Sequence, residues 1–377
     1  MPNREFKVEI ITQQVRLKGL AEELDSVDVI SLDTESNSRH RYPEQLCLVQ
    51  IAVANRIYII DTLAVNDVKA LGPTLANPKQ VKVIHDAGYD VRCLDRHQGL
   101  RFSGIFDTSI AARFLGFSQF SLGAIIESTI GKKIPKSTRL QQSDWGKRPL
   151  TAEAIEYAAA DVHYLIQIRE ILEKKLKTIG RFEWVMEEFR RLEEVRYVLP
   201  DKEKAYRLLK GARDLDGQGL AVLKRLYLFR EVEALQERRP PFYILPDETL
   251  VYLASHTKED LSNVSGLSDF RKRTLGQRLR DAISEGENSS PLEIIPQNSF
   301  ERPTVQQIGR LTKLKDWRIS LGTKLNIDPS LLWPRESLET IAKDPGEFEA
   351  SLNSNAVRRW QRTEFGADLR NYVRAIS

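Results

Sequence analysis

Short apolar, β-branched runs bounded by turn residues recur early in the chain: FKVEIIT (6–12), DVISLDTES (28–36), LCLVQIAVA (46–54), RIYIIDT (56–62) and VKVIHDA (81–87). This pattern predicts five strands. Ala54-Asn55 joins the third run to the fourth, which predicts a tight hairpin and an antiparallel pair. Helical spacing follows in DVRCLDRH (90–97), DTSIAARFLG (107–116) and TAEAIEYAAADVHYLIQIREILEKKLKTI (151–179). In the last, Ile155, Ala159, Val162, Ile166 and Arg169 fall on one stripe, and Thr151 stands where an N-cap belongs. A strand meander followed by mixed helices and strands predicts an α/β domain with a mixed sheet over residues 1–195.

Strand signals stop near residue 205, after a connecting segment at 196–215, and the rest of the chain reads as helical. The Pro-, Ser- and Asn-rich stretch ENSSPLEIIPQNSFERP (287–303) predicts a linker over 287–302. A weak repeat flanks it. Phe229-Arg230 matches Trp317-Arg318, and YILPDETLVYLA (243–254) matches LLWPRESLETIA (331–342) at the same offset, so Pro246 aligns with Pro334 and Leu250 with Leu338. Gly276, Leu279 and Ile283 then align with Gly366, Leu369 and Val373. The expectation is two copies of one small all-α module, at 216–286 and 303–377.

Composition narrows the classes. A chain of 377 residues with 41% hydrophobic and 29% charged residues is globular and holds two or three domains. A net charge of +4 permits a polyanionic partner without requiring one. Cys47 and Cys93 are the only cysteines, among apolar neighbours, and read as reduced core residues rather than a thiolate metal site or redox pair. The start of the chain lacks an apolar signal region, and LCLVQIAVANRIYIID is too interrupted to span a membrane. A soluble, cytoplasmic protein is expected.

The first chemical signal is Asp33 and Glu35. Side chains at i and i+2 of a strand share a face, and two carboxylates about 4 Å apart repel by roughly 4 kcal/mol at an effective dielectric near 20. Such a pair needs a cation, a shared proton or water; a wet strand end is the plainer alternative. Asp90 follows a strand and opens a helix. Tyr157 and Asp161, at i and i+4, share a helix face. The three alanines between them reduce the helix's bulk, so it could approach a sheet closely.

The order DxE, Asp, YxxxD resembles the DEDD superfamily of 3′→5′ exonucleases, in the subgroup with tyrosine in its last motif. Further segments extend the resemblance across residues 20–175: Tyr42-Pro43 with Leu46, Leu48 and Gln50; His85-x-Ala87-x-x-Asp90; Phe106-Asp107-Thr108; and Asp144-Trp145 with Arg148-Pro149-Leu150. Glu156-Tyr157-Ala158-Ala159-Ala160-Asp161 is very close to the form in the ribonuclease D family. Residues 216–286 resemble an HRDC domain, and 303–377 resemble a second, divergent copy. Bacterial members of that family share this architecture.

The resemblance implies a ribonuclease H-like mixed-sheet domain followed by two helical domains. It implies hydrolysis at RNA 3′ ends, with release of nucleoside 5′-monophosphates and tRNA precursors as substrates. An all-oxygen set of Asp33, Glu35, Asp90 and Asp161 suits two Mg²⁺ or Mn²⁺ ions. By resemblance, Asp33 bridges the ions, Glu35 and Asp161 complete the nucleophile side, Asp90 acts largely through water, and Tyr157 orients the attacking water. Candidate substrate contacts are Tyr42, Gln50 and His85. RNA contacts are expected from Arg271, Lys272 and Arg273 with Arg278 and Arg280, and from Arg358, Arg359 and Arg362. A monomer without an obligate protein partner is expected.

Two departures stand out: Ser36 and Asn37 replace an expected aromatic residue, and Asp86 is an extra acid that reads as a turn or capping residue. A DNA 3′→5′ exonuclease and a non-catalytic RNA-binding relative remain open alternatives. No GxxxxGK[ST] or HExxH motif occurs, and Asp214-Leu215-Asp216-Gly217 lacks the rest of a calcium loop.

Overall fold

All five expected strands form in the computed structural model, which describes residues 6–65, 67–134, 137–294 and 303–376. They are β1 (Lys7–Ile11), β2 (Val29–Ser36), β3 (Leu46–Val53), β4 (Arg56–Asp61) and β5 (Val81–Ile84). A sixth, β6 (Ile105–Asp107), is three residues long, too short for periodicity to reveal. The six-stranded sheet runs β1-β4-β3-β2-β5-β6. β3 pairs antiparallel with both β4 and β2, whereas β2, β5 and β6 run parallel. Ala54, at φ 48°, makes the left-handed turn of the expected hairpin.

Alternation along β2 sets the two faces. Ile30 and Leu32 join a core with Leu17, Leu20 and Leu24 of the Gln14–Leu24 helix and Val91 and Leu94 of the Gly88–Gln98 helix. Ser31, Asp33 and Glu35 alternate with them, so the sequence reading of a shared acidic face holds.

The long helical segment at 151–179 departs from its single expected stripe. It forms two helices, Ala152–His163 and Leu165–Thr178, parted at Tyr164. Thr151 does cap the first, its hydroxyl accepting from the Ala154 N–H at 3.1 Å. The Ser31 hydroxyl donates to the Val162 carbonyl at 2.8 Å, an oxygen that an unbroken helix would pair with residue 166. Ala158, Ala159 and Val162 press against β3 and β4. Beyond the break, Leu165, Ile168, Leu172 and Leu176 form the buried row instead of Ile166 and Arg169.

Helices account for the chain beyond residue 107 among the described residues. Gly217–Glu237, Pro241–Ile244, Asp247–Ser255 and Asp269–Glu287 enclose one core. Val305–Leu325, Pro329–Leu332, Arg335–Lys343, Phe348–Leu352 and Arg359–Ile376 follow in a similar order of lengths. Arg230 Nη1 donates to the Leu245 carbonyl at 3.0 Å, and Arg318 Nη1 donates to the Trp333 carbonyl at 2.9 Å. Residues 295–302 of the expected linker lie outside the described residues. No helix among those described is long and apolar enough to cross a membrane.

The two helical units attach to the sheet domain differently. The first meets the 37–45 loop: Tyr42 donates its hydroxyl to Glu231 at 2.5 Å and its backbone N–H to the Arg238 carbonyl at 3.3 Å. The second shares a continuous apolar core with the helices behind the sheet. Trp184 stacks on Trp360 at 4.8 Å and 15°, and Phe114 meets Trp360 edge-on at 5.4 Å. The Arg181 guanidinium donates to the Phe114 carbonyl at 2.8 Å and the Leu325 carbonyl at 2.5 Å. Gly116, at φ +78°, lies so close to this unit that a Cβ would stand 2.1 Å from the Asn326 carbonyl oxygen.

This shared core makes Trp360→Ala a test of cooperativity. The expected loss is about 3–5 kcal/mol, read by urea unfolding, with the sheet domain and residues 303–376 melting in one transition in both proteins. A separate early transition for the last helices would contradict a shared core.

Candidate active site

Asp33 and Glu35 stand at the end of β2, and the Ala152–His163 helix brings Asp161 to the same face. One carboxylate oxygen from each lies within 4.8 Å of the other two. Ala158 and Ala159, both fully buried, let the helix come this close. Asp90, outside that trio, opens the Gly88–Gln98 helix and lines the same cavity. It is buried and accepts a hydrogen bond from the Thr34 hydroxyl at 2.6 Å. Thr34 lies between the two motif acids, so alternation turns it toward Asp90. Tyr157, one helical turn before Asp161, lines the same cavity, and the Asp161 charge acts on its phenol. The Tyr157 ring is 6.1 Å from that of Trp145, whose loop is held by Arg148 donating to Asp61 at 2.5 and 2.7 Å and to the Trp145 carbonyl at 2.7 Å.

The electrostatics follow from burial and mutual repulsion. Burial and then the Asp161 charge push Asp33 well above the usual carboxylate range. Burial raises Glu35 too, helped by Asp33, Asp161 and Asp90. Asp90 is raised by burial and by Asp33, and burial pushes Asp161 up to about 7. Burial, with the charges of Asp161, Glu35 and Asp33, raises the Tyr157 phenol, which therefore stays protonated at neutral pH. Converging hard oxygens with no basic side chain paired to them among the described residues suit a divalent cation. Gln50 supports that fit. It pairs in register with Asp33 on β3, is fully buried, and neither atom of its amide has a hydrogen-bond partner among the described residues. A hydrated cation at Asp33 would give the amide a partner.

A cavity of about 870 Å³ opens above the acids. Arg39, Arg113 and Lys133 line it, as do Phe120 and Tyr89. His85 also lines it, held by Thr108 Oγ1 at 2.9 Å, and burial pushes the imidazole down to about 4, so it is neutral.

Several expected contacts fall elsewhere. Tyr42 does not line the cavity; its side chain packs into the first helical unit. Gln50 lies beneath the acids within the sheet. Arg271 is buried in a bidentate pair with Glu237, and Arg278 grips Glu233 at 2.6 and 2.7 Å. Lys272 donates to the Ser262 carbonyl at 2.9 Å and pairs with Asp269 at 3.3 Å. Arg273 is exposed. Most of this basic run is thus engaged within the fold: Arg271 and Arg278 reach acids on the Gly217–Glu237 helix, and Lys272 the Ser262 carbonyl and Asp269 of its own helix.

Ser36 and Asn37 have clear roles. The Ser36 hydroxyl bonds to the Tyr89 hydroxyl, so the aromatic ring absent at this position enters from the neighbouring helix. Asn37 is buried and closes the loop through Gln45, accepting its N–H at 2.8 Å. Asp86 takes a left-handed turn, φ 60°. Sequence reasoning assigned no role to Asp107. It is buried and accepts from the N–H groups of Asp86, Ala87, Ser109 and Ile110, tying the segment before Asp90 to the end of β6. An aspartate just before a helical run was the available signal.

Comparison with known proteins supplies independent findings. A 3′-5′ exonuclease family model matches residues 8–177, and an HRDC domain model matches residues 219–284. Ribonuclease D of Zymomonas mobilis is 35% identical over 297 residues, covering 77% of this chain and 75% of its own. Ribonuclease D of Sphingobium indicum is 30% identical over 376 residues, covering 97% and 94%. The solved structure of Escherichia coli RNase D, described as an exoribonuclease involved in structured RNA processing, superposes with a TM-score of 0.73 at 23% identity, covering 98% of this chain and 99% of its own. The catalytic core of RRP6 from Trypanosoma brucei gives 0.66 at 25% identity, covering 77% and 82%.

The raised carboxyls set a pH dependence. Each acid holds its proton more tightly in the folded chain than at its unfolded value near ~4. From there up to about 7 for Asp161, the folded protein binds more protons than the unfolded one. Without a cation, stability therefore falls as pH rises through this window. The expected Tm in EDTA drops from about pH 5 to about pH 8, and millimolar Mg²⁺ raises it more at the higher pH, since only ionised carboxylates bind. A flat profile in EDTA, or equal metal effects at both pH values, would contradict this electrostatic account.

Proposed function

The chain belongs to the ribonuclease D family and is a 3′→5′ exoribonuclease; from that premise we propose that it trims RNA precursors such as tRNA through a two-cation site. The convergence of Asp33, Glu35 and Asp161, with Tyr157 lining the same cavity, carries this reading. Asp33, Glu35 and Asp161, with Asp90 beside them, are the residues that would hold the Mg²⁺ or Mn²⁺ ions. Bound there, the ions would make water more acidic and neutralise charge on the phosphoryl oxygens.

The residues supply position. Tyr157 stays protonated beside Asp161, so its hydroxyl orients the attacking water and does not act as base. Water oxygen bonds to the terminal phosphorus, the bond to the preceding 3′ oxygen breaks, and that oxygen leaves with a proton. The product is a nucleoside 5′-monophosphate. Arg39, Arg113 and Lys133 suit the phosphates along the cavity wall. Phe120, with Arg113 over its ring at 4.8 Å, and Tyr89 offer faces for the terminal bases.

The domain limits 1–195, 216–286 and 303–377 belong to the same proposal. In support of a second, divergent helical copy, Arg318 and Trp333 lie 88 residues after Arg230 and Leu245 and repeat their hydrogen bond. The first copy is the RNA-binding one in this reading, because the second is occupied in the catalytic core. A monomeric, cytoplasmic enzyme completes it; both cysteines are free and buried, as suits a reducing compartment.

The test offers 3′-extended tRNA, unstructured RNA and single-stranded DNA with Mg²⁺ or EDTA. Mononucleotide release is expected from RNA, only with the metal and only from a free 3′ hydroxyl. Asp33→Asn is expected to cut kcat by roughly a thousand-fold or more, and Tyr157→Phe by about a hundred-fold with little change in KM. Undiminished hydrolysis in Asp33→Asn, internal cleavage of 3′-blocked RNA, or preference for DNA would each overturn the assignment.

A further inference from the structure

Beside the loop that carries Tyr42, the first helical unit presents three large rings to solvent. Phe242 is 51% exposed, Tyr243 46% and Phe270 58%. Phe242 and Tyr243 lie 4.5 Å apart between centroids. Arg271 links them to Phe270: its buried guanidinium, held by Glu237, donates to the Tyr243 carbonyl at 3.2 Å and lies 5.6 Å over the Phe270 ring. Arg239 lies 5.2 Å over Tyr243. Arg238, Arg239 and Arg273 are exposed and make no ion pair among the described residues, unlike Arg271 and Arg278.

Single exposed aromatics are ordinary. Three joined through one buried arginine, and rimmed by free cations, form a patch that calls for a partner. Flat faces with unspent positive charge match unpaired bases on a phosphate backbone. We propose that Phe242, Tyr243 and Phe270, with Arg238, Arg239 and Arg273, form a stacking platform for unpaired RNA bases upstream of the nucleotide being removed.

Its position suits that task. The Arg238 carbonyl accepts from the Tyr42 N–H, and Arg39, three residues earlier, lines the cavity over the acids. Those three residues span about 11 Å at full extension. A strand with its 3′ end at the acids can therefore reach the platform while still threaded in the cavity. This inference rests on the reading of the first unit as the RNA-binding one.

The test measures binding of an oligouridylate of about twelve nucleotides in EDTA, by fluorescence anisotropy. The double variant Phe242→Leu/Phe270→Leu keeps apolar bulk but loses the flat faces, and its Kd is expected to rise at least about five-fold. Phe242→Tyr/Phe270→Tyr is expected to bind as the wild type does. Both are expected to hydrolyse a dinucleotide normally with Mg²⁺, since that substrate is too short to reach the patch. Tight wild-type binding that the leucine variant retains overturns the platform alone and assigns the patch to a protein partner. A wild type that releases mononucleotides but binds the oligomer no tighter than a dinucleotide overturns the RNA-binding reading and the platform together.

Discussion

Everything at the centre of this molecule is arranged around a repulsion. Asp33, Glu35 and Asp161 bring oxygens within 4.8 Å of one another with Asp90 close behind, and among the described residues no basic side chain pairs with them. The sheet and the Ala152–His163 helix impose this proximity through rigid backbone and small residues. The Ser31–Val162 hydrogen bond fixes the helix against the strand, and Asp107 fixes the segment that leads to Asp90. The fold thus concentrates negative charge that a bound cation would relieve.

The legible and illegible parts of the sequence divide along physical lines. Asp33 and Glu35 share a face because strands alternate, and Tyr157 and Asp161 share one because helices return at i+4; both facts are local and were readable. So was the close approach allowed by Ala158 and Ala159. The break at Tyr164 was not, since it depends on a hydroxyl 131 residues away along the chain. β6 was too short to carry a period. At 271–272 the charge was readable, while the groups that engage it from elsewhere in the chain, Glu237 and the Ser262 carbonyl, are identified only by the fold. Tyr42 misled for a related reason: it belongs to a segment that resembles the family's, but its hydroxyl reaches Glu231 rather than the cavity.

The two helical units attach to the sheet domain by different means. The first keeps a compact core of its own and touches the sheet domain through polar contacts at Tyr42, Glu231 and Arg238. The second gives its aromatic residues to a core shared with Phe114, Trp184 and Phe189. Gly116 and Asn326 meet so closely that the second unit has little freedom to shift.

That shared core has a consequence for the order of synthesis. The Phe182–Glu193 helix leaves the ribosome long before the Arg359–Ile376 helix that covers it. At about 5–20 residues per second, Phe114, Trp184 and Phe189 stand uncovered for on the order of ten to thirty seconds in every nascent chain. The acids of the cluster all lie before residue 162, but the core behind their sheet is shared with the last helices. A growing chain therefore carries an open aromatic face, and its vulnerability to aggregation ends only when Trp360 arrives.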